Sequence, residues 1–235
     1  MRRGGQYRAG PGRIVAAIAL AAAVGGPTAM GIASPDERPA DMRTLVTRWN
    51  VHGIPYAEAR AVGVRAVPDL VSMLAEPAME EHWKKAVWVL GCIGDSSATG
   101  PLIAFLRRQQ GEISVDAFRA TLAVLPALGH LARGGDAAAL DTLTAFTRPD
   151  AWHEAGLAFS YGRYKGEALG EVIGRTAIQG LGIAGTPEAL AVLDSMNQSP
   201  DLRPDWRDNV EEAMQLNTRV AQMGAERAFT EEEKP

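Results

Sequence analysis

The chain has 235 residues, a formal net charge of −4 and a single cysteine, Cys92. The acidic balance argues against nonspecific nucleic-acid binding, because such binding needs a basic face against the phosphate backbone. One cysteine excludes an intramolecular disulfide. Only 6% of the residues are aromatic, while alanine, leucine and valine are common, and this composition favours helices over a β-sandwich.

Residues 1–33 have the three-part pattern of an export signal. Four arginines come first with no acidic residue, an apolar run of small residues covers 14–24, and Gly31 and Ala33 are the small residues that a signal peptidase requires. The run is shorter than a membrane span, which takes about 20 apolar residues. Loss of the four arginines would lower the net charge from −4 to −8. We predict a cleaved signal, a periplasmic or secreted protein and no membrane span; the alternative is an uncleaved anchor.

The segment after the signal is predicted to lead into a capping helix. Residues 34–41 are rich in proline and charge and are predicted to be a linker. A first helix is predicted over 42–51, with Leu45, Val46 and Trp49 on its inner face.

The clearest pattern of the chain lies in residues 83–106. Trp83, Val87, Leu90 and Ile93 recur at spacings of three and four, so they share one face of a helix. The glycine that follows, at position 94, can end the helix in the left-handed conformation because it has no Cβ. A second apolar helix then packs back on the first, and the stretch predicts a helical hairpin.

Weaker copies of this hairpin surround it at 56–74, 115–146 and 177–193. Each copy has an apolar helix, a glycine corner and a second apolar helix. Two short helices cannot bury enough apolar surface alone, so such hairpins must stack on one another. The corner glycines, spaced by 31, 41 and 50 residues, are Gly63, Gly94, Gly135 and Gly185.

These copies resemble the HEAT family, in particular the short HEAT-like repeats first described in phycobilisome lyases. The resemblance covers roughly residues 53–200 and includes Pro126, which is similar to the kinking proline common in HEAT repeats. It implies an all-α, armadillo-like fold: a short right-handed α-solenoid of about four HEAT-like hairpins with capping helices, over 42–223. It barely constrains function and does not imply pigment attachment. The residues that carry it are Leu90, Gly91, Gly94, Asp95, Ala66–Leu70, Leu181, Gly182, Gly185, Thr186, Pro187 and Leu190.

The C-terminal part is predicted to close the stack. A last helix over 205–223 has an apolar stripe and a charged outer face, which an end cap of a solenoid needs. Residues 224–235, which include Glu231–Glu233, are predicted to be a disordered acidic tail.

No motif predicts catalysis or a bound cofactor. Gly180–Gly185 matches the glycine fingerprint of dinucleotide folds, but it lacks a preceding strand and aligns with the repeat corner. The histidines lack the spacing of zinc ligands. Cys92 lies beside an apolar stripe and is predicted to be a packed side chain rather than a nucleophile. We therefore predict no catalytic residue, no metal and no cofactor.

An insert at 148–168 interrupts the repeats between the third and fourth hairpins. Long inserts are usually functional or disordered, and Tyr, Trp and Arg often anchor interfaces. The alternative is that Trp152, Leu157 and Phe159 form an extra helix on the core and only 161–165 stays exposed. The aromatic and basic residues of its centre are Trp152, Phe159, Tyr161, Arg163, Tyr164 and Lys165.

The sequence thus predicts an exported, non-catalytic scaffold or adaptor that binds a protein or peptide along an inner surface formed by the second helices. The outward positions of these helices, which also include Asp69, Met73, Thr144 and Ser195, are mixed in sign, and this suits a specific protein partner better than a polyanion. No oligomeric state is predicted. The predicted partner-binding residues are Tyr161, Arg163, Tyr164, Lys165, Arg107, Arg108, Asp141 and Arg148.

The alternative function is that of an enzyme or enzyme subunit. Its site would lie in the groove near the insert and would use His153, Glu154, Tyr161 and Arg163. An enzyme should bring three or more of these polar groups into one pocket, whereas a binding protein should have a broad open groove.

Overall fold

The computed structural model describes residues 42–48, 54–148 and 150–230. The predicted signal and linker, Trp49 and the last five residues lie outside these ranges. In the part that it describes, the fold is all-α except for two strands of three residues each.

Four pairs of helices follow one another near the predicted positions. Their first helices are α2 (Tyr56–Ala61), α4 (Trp83–Ile93), α6 (Val115–Arg133) and α9 (Glu167–Ala184). Their second helices are α3 (Val67–Ala75), α5 (Thr99–Arg107), α7 (Ala137–Phe146) and α10 (Pro187–Gln198). The remaining elements are α1 (Met42–Thr47), β1 (Gln110–Glu112), α8 (Ala151–Glu154), β2 (Ala158–Ser160), α11 (Pro204–Met223) and α12 (Ala225–Thr230).

The helices contact one another in chain order. Helix α2 packs on α4, α4 on α6, α6 on α9 and α9 on α11, which gives a layer of first helices closed by α11. Each second helix packs on the first helix that comes next, as α3 on α4, α5 on α6, α7 on α9 and α10 on α11. The buried apolar side chains of both sets form one core, which includes Leu70, Leu90, Leu125, Leu143 and Leu181.

Glycines let neighbouring first helices come unusually close. A Cβ on Gly91 of α4 would lie 2.8 Å from the Cα of Ala127 in α6. A Cβ on Gly129 of α6 would lie 2.3 Å from the carbonyl oxygen of Gly180 in α9, and one on Gly182 would lie 2.9 Å from the backbone of α11. Residues 90–94 and 181–185 share a Leu-Gly-x-x-Gly motif, and its first glycine, Gly91 or Gly182, therefore serves helix–helix contact.

The second glycine of the motif ends the helix, as predicted. Gly94 and Gly185 follow α4 and α9 in the left-handed conformation, with φ of 72° and 60°. The other two corner glycines, Gly63 and Gly135, also have positive φ. The four corner glycines share a positive φ, which a residue with a Cβ adopts only at a cost.

Polar caps hold the corners together. Asp95 accepts a hydrogen bond from the backbone N–H of Ser97 at 3.0 Å and so caps the turn that follows Gly94. Asp136 accepts one from the N–H of Ala139 at 3.1 Å and a second from the hydroxyl of Thr99 at 2.6 Å. Because Thr99 begins α5 and Asp136 precedes α7, this carboxylate joins the corners of two successive hairpins.

Valine at Gly185 is expected to destabilise the protein more than valine at Gly94, and each by more than about 1 kcal/mol. Both positions have positive φ, but a Cβ at Gly185 would also lie 2.5 Å from Cγ1 of Val220, whereas the nearest atom at Gly94 is 3.9 Å away. Urea unfolding of both variants checks the order. Midpoints equal to that of the wild-type protein would contradict the corner assignment.

The C-terminal region differs from the predicted disordered tail. Gly224 has a φ of 82° and turns the chain after α11, and residues 225–230 then form α12. Ala225 and Ala228 are buried. This short helix therefore packs onto the core through small apolar side chains, which are often fully buried in proteins.

Candidate interaction surfaces

Several predicted partner-binding residues already have partners within the protein. The guanidinium of Arg108 lies over the rings of Trp83, at 5.3 Å, and Phe105, at 4.7 Å, and donates a hydrogen bond to the carbonyl of Leu74. Partial burial lowers its pKa. Arg148 forms an ion pair with a carboxylate of α8. Both arginines therefore hold helices and insert in place.

The remaining second-helix positions differ in exposure. Arg107 and Asp141 are exposed, on α5 and α7 respectively, and both stay candidates. Met73 is only 1% exposed and belongs to the core, which contradicts its predicted outward position. The long thioether side chain of this residue, which lies in α3, packs in the interior and does not face solvent.

The insert is docked on the loop between α5 and α6. Its strand β2 pairs in parallel with β1, and Gln110 lies opposite Ala158. The carboxylate of Glu112 accepts hydrogen bonds from the N–H of Gly162 and the hydroxyl of Ser160, both at 2.7 Å. These two bonds lower the pKa of Glu112, since they favour its charged form.

The interpretation that the insert packs on the core is confirmed in part, and its binding role stays a prediction. Trp152, Leu157 and Phe159 are buried, although they lie in α8, its C-terminal loop and β2 rather than in one extra helix. Tyr161 and Tyr164 are half-buried and stack on Phe118 of α6, with centroid distances of 4.8 and 5.2 Å.

Besides the paired Arg148, two basic side chains of the insert are exposed, Arg163 and Lys165. The guanidinium of Arg163 lies 5.1 Å from the centre of the Tyr164 ring. The predicted aromatic contact surface is therefore turned largely toward the protein, and the basic residues face solvent.

Replacing Tyr161 and Tyr164 together by alanine is expected to destabilise the protein by about 2 kcal/mol, because two stacked contacts with Phe118 are lost. Arg163→Ala should change stability by less than about 1 kcal/mol, since it loses one exposed cation–π contact. Thermal unfolding of the two variants separates these effects. A double variant as stable as the wild-type protein would show that the insert is not docked.

The residues of the predicted enzyme site do not form one pocket. His153 lines a small cleft of about 220 Å³ together with Glu167 and Arg203. Glu154 instead pairs with Arg148, and Tyr161 stacks on α6. An enzyme site was expected to bring three or more of His153, Glu154, Tyr161 and Arg163 into one pocket, and the structure does not do so.

Other candidates for chemistry have structural roles. Burial raises the pKa of the Cys92 thiol to about 12, so it stays protonated and is a poor nucleophile. Gly180 and Gly182 lie inside α9 at close helix contacts rather than in a phosphate-binding loop. Within the ranges given above, no group of three or more His, Cys, Asp or Glu residues could hold a metal ion.

The layer of first helices carries an open groove that the sequence analysis missed. It has a volume of about 560 Å³ and lies between α4 and α6, with α9 and the segment before α2 at its edges. We call it the basic-rimmed groove. Its apolar floor consists of Ile54, Trp88, Leu122, Ala123 and Pro126, and its polar lining consists of Lys84, Lys85, Arg119 and Thr176.

The floor of the groove is held in place by interior contacts. The indole N–H of Trp88 donates to the carbonyl of Ile54 at 3.0 Å, and its ring meets the edge of the buried His130 at a centroid distance of 5.5 Å. Pro126 has no N–H to donate to the carbonyl of Leu122, as a helix interior otherwise requires. The groove therefore presents a fixed indole beside an irregular turn of α6.

The rim is positive although the chain is acidic. The lining residues include three cations and no carboxylate. Arg119 is paired with Asp116, whose Oδ1 lies 3.8 Å from Nη1 of Arg119, and both side chains are partly exposed. The ammonium group of Lys85 donates a hydrogen bond to the backbone carbonyl of Arg48 at 2.8 Å. Its partner in this bond is therefore a neutral group and not a carboxylate.

A second groove adjoins the first on the same layer. It lies between α9 and α11, has a volume of about 700 Å³ and is lined mainly by polar residues such as Gln179, Asn209 and Glu212. Thr176 lines both grooves. The first-helix layer thus offers an apolar section with a basic rim next to a polar section.

No family model, curated protein or solved structure matches this chain. In the part that the structure describes, none of the helices combines the length and apolar character that a membrane crossing requires.

Proposed function

We propose that this chain is an exported, HEAT-like helical-repeat protein, a short right-handed α-solenoid, that acts as a non-catalytic scaffold or adaptor for another protein or peptide. Four hairpins with positive-φ glycines at their corners support the repeat assignment. The chain-order contacts of first and second helices support stacking of these hairpins.

The observation that carries the binding role is the basic-rimmed groove. An open trough with an apolar floor and a charged rim suits an amphipathic segment of another protein, which places apolar side chains in the trough and polar ones at its edge. The proposed binding face is thus the layer of first helices, and the exposed Arg107, Asp141, Arg163 and Lys165 of the sequence prediction form a second candidate surface.

Export is part of the same proposal and is supported by the composition of residues 1–33. Intact mass of the protein from fractionated native cells should correspond to a chain that begins near Ser34. A full-length chain in the cytoplasm would contradict export.

Site-specific photocrosslinking of the full chain in living cells tests the binding role. A photoreactive residue replaces Leu122 in the groove, Asp141 on a second helix, or the exposed Glu211 on α11 as a control. We expect a protein adduct at Leu122 and none at Glu211. Absence of an adduct at both Leu122 and Asp141 would contradict the scaffold function, whereas an adduct at Asp141 alone would move the binding face to the second helices.

A further inference from the structure

We propose that the basic-rimmed groove binds an acidic amphipathic segment of a partner protein, whose apolar side chains fill the floor and whose carboxylates meet Lys84, Lys85 and Arg119. This inference rests on the proposed binding function and adds the chemistry of the partner.

The apolar floor supplies the driving force. Trp88, Leu122, Ala123 and Pro126 are each partly exposed in the free protein. Covering them removes apolar surface from water, which is favourable in proportion to the area covered. Trp88 is suited to a central position in such an interface, because its indole N–H is already satisfied by Ile54 and its ring is fixed by packing.

The rim selects the sign of the partner. Lys84 and Arg119 are exposed at the edges of the groove on α4 and α6, and no carboxylate lines the groove. The chain as a whole is acidic, with 28 acidic against 24 basic residues, so the rim of the groove is opposite in sign to the net charge of the protein and attracts an acidic partner. Such local complementarity directs an acidic segment to this groove and raises the rate of association.

A protein segment fits the shape better than an anionic membrane. A lipid surface binds protruding basic and apolar side chains that insert into it. Here the apolar groups lie at the bottom of a trough between two helices, and the cations stand along its edge. A side chain projecting from a partner reaches this floor, whereas a flat headgroup layer meets only the rim.

The probe is a synthetic peptide of about 18 residues with leucine at helical spacing on one face and glutamate on the other. Binding to the full chain is measured by isothermal titration. Lys84→Glu combined with Arg119→Glu should weaken binding at least ten-fold, equivalent to about 1.4 kcal/mol. The matched control is Arg65→Glu combined with Arg207→Glu, which changes the net charge equally at exposed positions outside the groove lining and should leave affinity within about two-fold.

A second arm leaves the protein unchanged, so that it does not depend on the folding of a variant. The same peptide with lysine in place of glutamate should not bind, and added salt should weaken binding of the acidic peptide because the rim is exposed. Equal affinity for both peptides, or a larger loss with the control pair of substitutions, would overturn the inference.

The test also separates this inference from the proposed function. Binding to vesicles of anionic phospholipid without binding to the acidic peptide would overturn the assignment of a protein segment. A crosslinked partner at Asp141 together with no effect of the groove substitutions would leave the scaffold function standing and remove the groove from it.

Discussion

Gly129→Ala is expected to destabilise the protein by about 3 kcal/mol, at the upper end of the range for overpacked interiors. The added methyl group would lie 2.3 Å from the carbonyl oxygen of Gly180 and 3.0 Å from Cβ of Ile183. The first of these neighbours is backbone of α9, so no side chain can rotate away, and the two helices must separate. Equilibrium urea unfolding of the full chain gives the free-energy difference.

Gly100→Ala is the matched control for this prediction. Gly100 lies in α5, and a Cβ there would meet no atom within 4 Å. Alanine is a better helix former than glycine, so this variant should be as stable as the wild-type protein or more stable by up to about 1 kcal/mol. A Gly129→Ala variant that behaves like Gly100→Ala would show that α6 and α9 are not in close contact.

Acidification from pH 7 to pH 4 is expected to destabilise the protein by roughly 3 kcal/mol through His130 alone. Burial and, to a smaller extent, the positive charge of Arg133 together lower the pKa of His130 to about 4. Its ring packs against the rings of Tyr56 in α2 and Trp88 in α4. Between the unfolded-state pKa of about 6.5 and the folded pKa, the unfolded chain binds a proton that the folded protein does not.

The sign of this effect defines the experiment. The contribution of neutral His130 is fully present above pH 6.5, declines as the pH falls toward 4, and changes no further below that value. Carboxylates also titrate in this range, so the wild-type protein is compared with His130→Gln, whose stability should vary less with pH. Direct NMR titration of the imidazole gives the pKa independently. A pKa near 6.5, or parallel pH profiles for the two proteins, would contradict the burial of this side chain.

The helical hairpins could be predicted because their signals are local. The stripe from Trp83 to Ile93 and the glycine after it lie within a dozen residues, and Gly94 and Gly185 have the predicted left-handed conformation. The close helix–helix contacts at Gly91 and Gly129 could not be predicted in the same way. Their meaning depends on which helix lies opposite, and a single sequence does not contain that information.

The basic-rimmed groove was missed for a similar reason. Lys84, Lys85 and Trp88 are near one another in sequence, and Arg119 and Leu122 are one helical turn apart in the next first helix. Each helix alone presents an ordinary solvent-facing side. Only the packing of α4 against α6 turns the two sides into one trough.

The insert and the C-terminal helix show the limits of composition. The tyrosines at 161 and 164 were predicted to be exposed because the repeat pattern has no place for them, yet Phe118 of α6 provides one. Residues 225–230 lack a strong apolar pattern, and α12 forms because two alanines fit closely against the core. Tertiary contact decides both cases.

The most direct test of a binding face on the first helices is an NMR titration of the isotope-labelled full chain with the acidic amphipathic peptide. We expect chemical-shift changes at the indole of Trp88 and the methyl groups of Leu122 and Ala123, with Arg107, Asp141 and the insert unaffected. Shift changes confined to α5, α7 and the insert, or none at saturating peptide, would contradict it.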